Sequence, residues 1–146
     1  MMLVPIDFLD RKPMLPCVLI VEDYLDNALL LVDMLAHLDC RTVVAADGLE
    51  ALEQVSRYQP DLILLDIVLP RCNGIEFARC LKQQQPTIPI VAVTGLTFPE
   101  EKLAIAQAGC DGYLAKPILL EELERTVKHY LGPKLIACPF VVVNSA

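Results

Sequence analysis

Residues 60–70 read Pro-Asp-Leu-Ile-Leu-Leu-Asp-Ile-Val-Leu-Pro. The run 62–65 within this stretch is apolar at every position, which is typical of a strand buried on both faces of a sheet. Such a strand needs helices on both sides of its sheet. A proline at each end of the stretch marks where the strand and its following loop are bounded. Short and almost wholly apolar runs of the same kind recur at residues 17–21, 42–46, 88–93 and 113–115.

Longer segments with helical spacing separate these runs. They comprise residues 26–38, 48–58, 74–85, 99–108 and 121–131. In the first segment, apolar residues recur at intervals of four from Leu30 and Leu31 onward. Strand and helix thus alternate along the chain, and two parallel neighbouring strands need such a helix as their crossover. We therefore predict an α/β fold, a doubly wound five-stranded parallel sheet with helices on both faces.

The predicted domain covers residues 17–131 and leaves an N-terminal extension, 1–16, and an apolar C-terminal tail, 132–146. Residues 135–143 of the tail are apolar and β-prone but too few to span a bilayer. Three roles are open for the tail: pairing with the sheet edge, covering the fourth helix, or remaining a disordered end. One domain takes up most of a 146-residue chain, so we expect no fused output module.

The composition is that of a chain with a large core, since 55% of the residues are hydrophobic and 21% are charged. A net charge of −7, with scattered basic residues, argues against direct binding to nucleic acid or to anionic membranes. No apolar stretch approaches the roughly 20 residues of a membrane-spanning helix, and residues 1–16 lack the pattern of a secretory signal. The six cysteines form no C-x-x-C motif, and we expect them to be reduced. We therefore expect a cytoplasmic protein.

Polar residues stand where four of the predicted strands end, which is the edge where parallel α/β sheets carry their functional residues. In strand order they are Glu22 and Asp23, Asp66, Thr94 and Gly95, and Lys116 and Pro117. Carboxylates a few ångströms apart repel one another by roughly 4 kcal/mol per pair at an effective dielectric near 20. A divalent cation removes this repulsion, and oxygen-only ligands favour Mg²⁺.

Five motifs together resemble a known family. They are Val-Leu-Ile-Val-Glu-Asp at 18–23, the stretch 60–70, Asn73-Gly74, Val-Ala-Val-Thr-Gly at 91–95 and Tyr-Leu-Ala-Lys-Pro at 113–117. In order, spacing and strand context they resemble the receiver domain of response regulators from bacterial two-component systems. The likeness is to the short single-domain kind, similar to the chemotaxis and cell-division receivers. It implies a (βα)5 flavodoxin-like fold.

The resemblance also implies a role for each carboxylate. Asp66 would be the phosphoacceptor for a histidine kinase or a histidine phosphotransfer protein. Asp23, Asp66 and the backbone carbonyl of Val68 would hold Mg²⁺, and Glu22 would act through a bound water. In-line phosphoryl transfer needs an aligned nucleophile and cations around the equatorial oxygens, so the residue types fit the implied chemistry.

The remaining residues at the strand ends would bind the phosphoryl group and transmit its presence. Lys116 would pair with Asp66 and later with a phosphoryl oxygen, and the Thr94 hydroxyl would bind another oxygen. Pro117 is a candidate for a cis peptide bond. Tyr113 would turn inward when Thr94 moves toward the phosphoryl group. This movement would alter the output face, which is the surface of the fourth helix, the fifth strand and the fifth helix.

An apolar patch is predicted on the output face if Ile105 and Ala108 point to the core. Its residues would be Phe98, Leu103, Ala104 and Ala106. Apolar patches usually mark partner sites, so we expect a downstream protein target here, and a homodimer through the same face is a further expectation. A fourth helix rotated away from this orientation is the alternative.

Two departures from the family pattern flank the predicted phosphoryl group. The positions two residues after the phosphoacceptor and two after the threonine are Val68 and Leu96. Neither side chain can orient an attacking water, so slow self-dephosphorylation is predicted. Leu29 and Val32 are outward candidates on the first helix, which is compatible with docking of the phosphodonor.

Two other classes of function are compatible with parts of this sequence. A phosphatase of the haloacid dehalogenase type also uses an aspartate after a strand with Mg²⁺, but it needs a second aspartate where Val68 stands. We therefore expect a signalling protein and not an enzyme, although it would assist its own phosphorylation and dephosphorylation. A phosphorylation-independent interaction module with a receiver fold is the alternative. A stand-alone receiver and a piece of a hybrid kinase are both compatible with the sequence.

Overall fold

The structure is a computed structural model that describes residues 2–5, 15–69, 72–95, 98–135 and 140–143. Its strands are β1 (Met2–Pro5), β2 (Cys17–Val21), β3 (Arg41–Ala45), β4 (Leu62–Asp66), β5 (Val68–Leu69), β6 (Cys72–Asn73), β7 (Ile90–Thr94), β8 (Gly112–Ala115) and β9 (Phe140–Val143). Its helices are α1 (Leu25–Leu35), α2 (Gly48–Tyr58), α3 (Gly74–Gln84), α4 (Pro99–Gln107) and α5 (Leu120–Leu135).

The central sheet has the strand order β3-β2-β4-β7-β8, and every neighbouring pair in it is parallel. Helices α2, α3 and α4 contribute to the core on one face, and α1 and α5 to the core on the other. The predicted doubly wound five-stranded sheet is therefore confirmed. Its order places β2 and β4, the strands that end in carboxylates, side by side at the centre.

Both faces of the sheet are buried because its central strands are apolar at nearly every position. In β2, Leu19 and Val21 belong to the core under α2, α3 and α4, whereas Val18 and Ile20 belong to the core under α1 and α5. All five residues of β2, β4 and β7 are buried. The absence of polar alternation in residues 62–65 thus reports burial on two sides.

The start of α3 packs tightly against the loop that follows β4. The Asn73 side chain caps this helix by accepting a hydrogen bond from the Ile75 backbone N–H at 3.0 Å. A Cβ atom on Gly74 would lie 2.3 Å from the carbonyl oxygen of Ile67, so only glycine fits. The short antiparallel pair of β5 and β6, which the sequence did not predict, lies in the same region.

The buried stripe of α1 differs from the one that its leucine spacing suggested. Ala28, Leu31 and Leu35 are its buried residues, whereas Leu30 is exposed. Val32, expected to point outward, is half-buried and packs against the core. The expectation was therefore wrong for Val32, because packing against neighbouring elements sets the rotation of the helix, whereas Leu29 is exposed at 50% as expected.

The two ends of the described chain meet in a separate antiparallel pair. Residues of β1 pair with residues of β9, from Met2 opposite Val143 to Pro5 opposite Phe140. The tail strand therefore pairs with the N-terminal extension and not with the edge of the five-stranded sheet. Helix α5 continues to Leu135, four residues beyond the predicted boundary at 131. Within the described ranges, none of the helices combines the length and apolar character that a membrane crossing needs.

Candidate functional site

Four neighbouring strands bring the predicted site residues to one edge of the sheet. Because β2, β4, β7 and β8 are parallel, their C-terminal ends meet there. The residues at these ends are Glu22 and Asp23 after β2, Asp66 at the end of β4, Thr94 at the end of β7, and Lys116 after β8. Side chains as far apart in sequence as Glu22 and Lys116, 94 positions, thus come into contact.

Asp66 lies at the centre of this group and is only 4% exposed. Its Oδ1 accepts a hydrogen bond from the Val68 backbone N–H at 2.9 Å, and its Oδ2 accepts one from Lys116 Nζ at 3.0 Å. The two bonds fix the plane of the carboxylate. Both oxygens of the carboxylate are thus held by donors from two different parts of the chain, the start of β5 and the residue after β8.

Glu22 is equally buried and shares the same lysine. Its Oε2 accepts from Lys116 Nζ at 3.4 Å, while its Oε1 accepts from the Tyr24 N–H at 3.3 Å and the Asn27 amide at 3.5 Å. Burial, together with the hydrogen bond and negative charge of Asp66, raises the pKa of Glu22 to about 6. The positive charge of Lys116 lowers the pKa and only partly offsets burial and the neighbouring Asp66.

Lys116 is held in its charged form by the same neighbours. Burial by itself would lower the pKa of its ammonium, but the carboxylates of Asp66 and Glu22 outweigh that effect and raise it. The ammonium therefore carries a fixed positive charge next to Asp66. The peptide bond between Lys116 and Pro117 is cis, at the position marked as a candidate in the sequence.

The carboxylates of Glu22, Asp23 and Asp66 fit a divalent cation. Each offers one oxygen, and these oxygens all lie within 4.8 Å of one another. Magnesium bonds oxygen at about 2.0–2.1 Å, so opposite ligands in its octahedron are about 4.1 Å apart and little movement would be needed. Asp23 is exposed to solvent, which leaves one side of the cluster accessible. The donors are oxygens only, as Mg²⁺ prefers.

Thr94 and Tyr113 occupy adjacent places on the same face of the sheet. Thr94 is fully buried, and its carbonyl accepts a hydrogen bond from the Lys116 N–H at 2.8 Å. Tyr113 pairs in register with Ala92, two residues before Thr94, so the two side chains leave the sheet on the same face. Tyr113 is 43% exposed.

The output face, formed by α4, β8 and α5, carries exposed apolar side chains. Ile105 and Ala108 are buried, as the predicted orientation of α4 required. Phe98 and Leu103 are exposed at 66% and 58%, and Ala106 is exposed, whereas Ala104 is half-buried. The described apolar patch therefore consists of Phe98, Leu103 and Ala106, with Ala104 at its margin. Leu96 lies outside the residues that the structure describes.

A second apolar surface, formed by α1, lies beside the carboxylates. Tyr24, Leu25, Leu29 and Leu30 are exposed there. An apolar groove of about 450 Å³ adjoins them and opens at Glu22 and Lys116, and its apolar lining residues include Leu30, Leu31, Met34, Pro117 and Ile118. Sequence reasoning pointed to Leu29 but missed this groove and the Asn27 contact with Glu22. Both depend on the close approach of α1 to the residues that follow β8, which no local pattern reveals.

Comparison with known proteins agrees with this geometry. The polar-differentiation response regulator DivK of Brucella ovis is 38% identical over 117 residues, which are 79% of this chain and 95% of DivK. DivK of Brucella abortus matches to the same extent.

Solved structures show the same fold. The chemotaxis protein CheY4 of Vibrio cholerae superposes with a TM-score of 0.75 at 30% identity, covering 80% of this chain and 99% of CheY4. The receiver domain of a sensor histidine kinase from Pseudomonas aeruginosa gives a TM-score of 0.73 at 32% identity, covering 81% of this chain and 98% of that domain. That structure holds a magnesium ion in its active-site cleft. Residues 18–128 match the response regulator receiver domain family. The chain therefore belongs to the response regulator receiver domain family of two-component signalling.

Proposed function

We propose that this chain is a cytoplasmic, stand-alone receiver in which Asp66 accepts a phosphoryl group from a histidine kinase or a histidine phosphotransfer protein. One observation carries the proposal. The carboxylates of Glu22, Asp23 and Asp66 lie within 4.8 Å of one another, and Lys116 Nζ lies 3.0 Å from Asp66.

The chemistry is a substitution at phosphorus. A carboxylate oxygen of Asp66 forms the new P–O bond while the P–N bond to the donor histidine breaks and its imidazole leaves with the electron pair. Glu22, Asp23, Asp66 and the Val68 carbonyl would hold Mg²⁺, which neutralises phosphoryl charge when bound. Lys116 places its ammonium beside the acceptor, where it can bind an equatorial oxygen, and the Thr94 hydroxyl binds another.

The donor docks on α1 in this proposal. Exposed Leu25, Leu29 and Leu30 and the adjoining groove provide an apolar surface that reaches the acceptor edge through Glu22 and Lys116. A helix of the donor laid on this surface would bring its phosphohistidine to Asp66. The partner class follows from the receiver family, and the surface follows from the exposed leucines.

The signal leaves through the output face. A phosphoryl group on Asp66 adds about −1.5 to −2 charges and draws the Thr94 hydroxyl toward it, which frees space for Tyr113 to turn inward. The turn changes the surface around Phe98, Leu103 and Ala106, where a downstream protein or a second copy of the chain binds. Loss of the phosphoryl group is slow, because the exposed Val68 side chain beside it cannot orient water.

Intact-mass spectrometry after incubation with acetyl phosphate and Mg²⁺ tests the proposal. We expect one added phosphoryl group in the wild type and in Asp39→Asn, an exposed control, and none in Asp66→Asn or in EDTA. Decay of the adduct should be slower in the wild type than in Val68→Asn, which places an amide beside the phosphoryl group. If acetyl phosphate and a panel of histidine phosphotransfer proteins leave no adduct, the phosphorylation-independent interaction module becomes the better description.

A further inference from the structure

A lysine on α4 stands over the ring of the proposed switch tyrosine. The Nζ atom of Lys102 lies 5.3 Å from the centroid of the Tyr113 ring. A cation within about 6 Å of an aromatic face is attracted by the negative charge of the ring face. The contact joins α4 to β8, two of the three elements of the output face.

The neighbour of Tyr113 across the sheet is a small residue. Tyr113 lies opposite Ala92, whose small side chain is fully buried on the face of the sheet that α4 covers. The side chain is nevertheless 43% exposed, and the ammonium of Lys102 lies over its ring. In the unphosphorylated protein, Tyr113 is thus both exposed to solvent and in contact with the Lys102 ammonium.

We propose that Lys102 is a positioning residue that holds Tyr113 outward while Asp66 is unphosphorylated. The inference rests on the proposed function, since it takes Tyr113 as the residue that reports phosphorylation. Lys102 acts through the ring and touches neither the phosphoryl group nor the cation site. A single exposed cation–π contact changes a two-state ratio about two- to fivefold, which is enough to bias a switch without locking it.

The chain offers a matched control for this contact. Arg57 lies 5.3 Å from the centroid of the Tyr58 ring on α2, away from the output face. Arg57→Met removes one cation and one cation–π contact of the same length. Any effect of net charge alone would appear in this variant as well as in Lys102→Met.

The experiment is ¹⁹F NMR on the full chain labelled with 3-fluorotyrosine, without phosphodonor. Tyr113→Phe assigns the resonance among the four tyrosines, and the shift between H₂O and D₂O reports how exposed each fluorine is. We expect Lys102→Met to lower the exposure of the Tyr113 fluorine and to raise the inward-to-outward ratio about two- to fivefold. Lys102→Arg, which keeps the cation, and Arg57→Met should match the wild type.

Two results would overturn the proposal. The first is an unchanged Tyr113 resonance in Lys102→Met. The second is an equal change in Lys102→Arg, which would assign the effect to packing of the lysine stem. Because every readout is made on unphosphorylated protein, these results are distinct from a failure of Asp66 to accept a phosphoryl group. That failure would appear only in the mass measurement described above.

Discussion

Glu22 is the residue at which the cost of assembling this site is measurable. Its pKa of about 6 lies above the ordinary value of 4.5 because the side chain is buried beside Asp66. The folded protein therefore binds more protons than the unfolded chain between these two pH values. Stability contributed by the protonated group is present below pH 4.5 and is lost as the pH rises through 6.

A pH series in EDTA tests this effect. We expect the free energy of unfolding of the wild type, relative to Glu22→Gln, to fall by about 1–2 kcal/mol between pH 4 and pH 7. Urea unfolding followed by circular dichroism measures both proteins. The difference should shrink when Mg²⁺ replaces EDTA, because the cation offsets the repulsion of the carboxylates. A flat difference in EDTA would mean that Lys116 already neutralises the crowding.

Gly74 is a second residue whose identity is dictated by its surroundings. A methyl group there would lie 2.3 Å from the Ile67 carbonyl oxygen, and that atom is backbone and cannot swing aside. We expect Gly74→Ala to lower the free energy of unfolding by roughly 1–3 kcal/mol. Gly132→Ala in α5 meets no atom within 4 Å and should be neutral or slightly stabilising. Equal effects of the two substitutions in urea unfolding would contradict this account.

At the scale of elements, aspartates tie the N-terminal ends of neighbouring strands together. Asp61, before β4, accepts a hydrogen bond from the Cys17 N–H at 2.8 Å. Asp111, before β8, accepts from the Ile90 N–H at 2.9 Å and from Lys82 Nζ at 2.8 Å. The Lys82 ammonium also donates to the Ile88 carbonyl, so the end of α3, the start of β7 and the turn before β8 form one bonded unit.

Removal of Asp111 should therefore affect stability and leave phosphorylation unaffected. We expect Asp111→Ala to lower the free energy of unfolding by about 1–3 kcal/mol, since it leaves the Ile90 amide without this partner. The extent of labelling by acetyl phosphate at a temperature where the variant is folded should equal that of the wild type, because Asp111 lies at the opposite edge of the sheet from Asp66. A stability equal to that of the exposed control Asp39→Ala would show that water replaces the carboxylate.

How far the sequence predicts each element depends on whether the cause is local. The strands β2, β4 and β7 were predictable because burial on both faces leaves an uninterrupted apolar run. The meeting of the side chains at the ends of these strands was predictable because parallel strands end at the same edge of the sheet. The exposure of Leu30 and the half-buried positions of Val32 and Ala104 did not follow, because helix rotation is set by packing against neighbouring elements. The pairs β5–β6 and β1–β9 are too short for a periodic signal.

For the whole molecule, the proposed binding of Mg²⁺ to the carboxylates of Glu22, Asp23 and Asp66 would be linked to folding. A ligand that binds only the folded state stabilises it by RT ln(1 + [L]/Kd), because the cation site exists only when β2 and β4 are paired. We expect 10 mM Mg²⁺ to raise the melting temperature of the wild type relative to EDTA. Asp23→Asn, which removes one exposed ligand, should show a smaller rise. A rise of equal size in both proteins would indicate a nonspecific salt effect.

The dispersal of the site over four strands has a consequence for the cell. Glu22, Asp66, Thr94 and Lys116 come from distant parts of the chain and meet only when the sheet is complete. A partly folded or misassembled copy lacks the arrangement on which the proposed phosphorylation depends, although it contains every residue. The proposed phosphorylation of Asp66 would thus be limited to correctly folded copies. Misfolded copies would not be phosphorylated and would therefore not signal, without the need for a separate quality-control system.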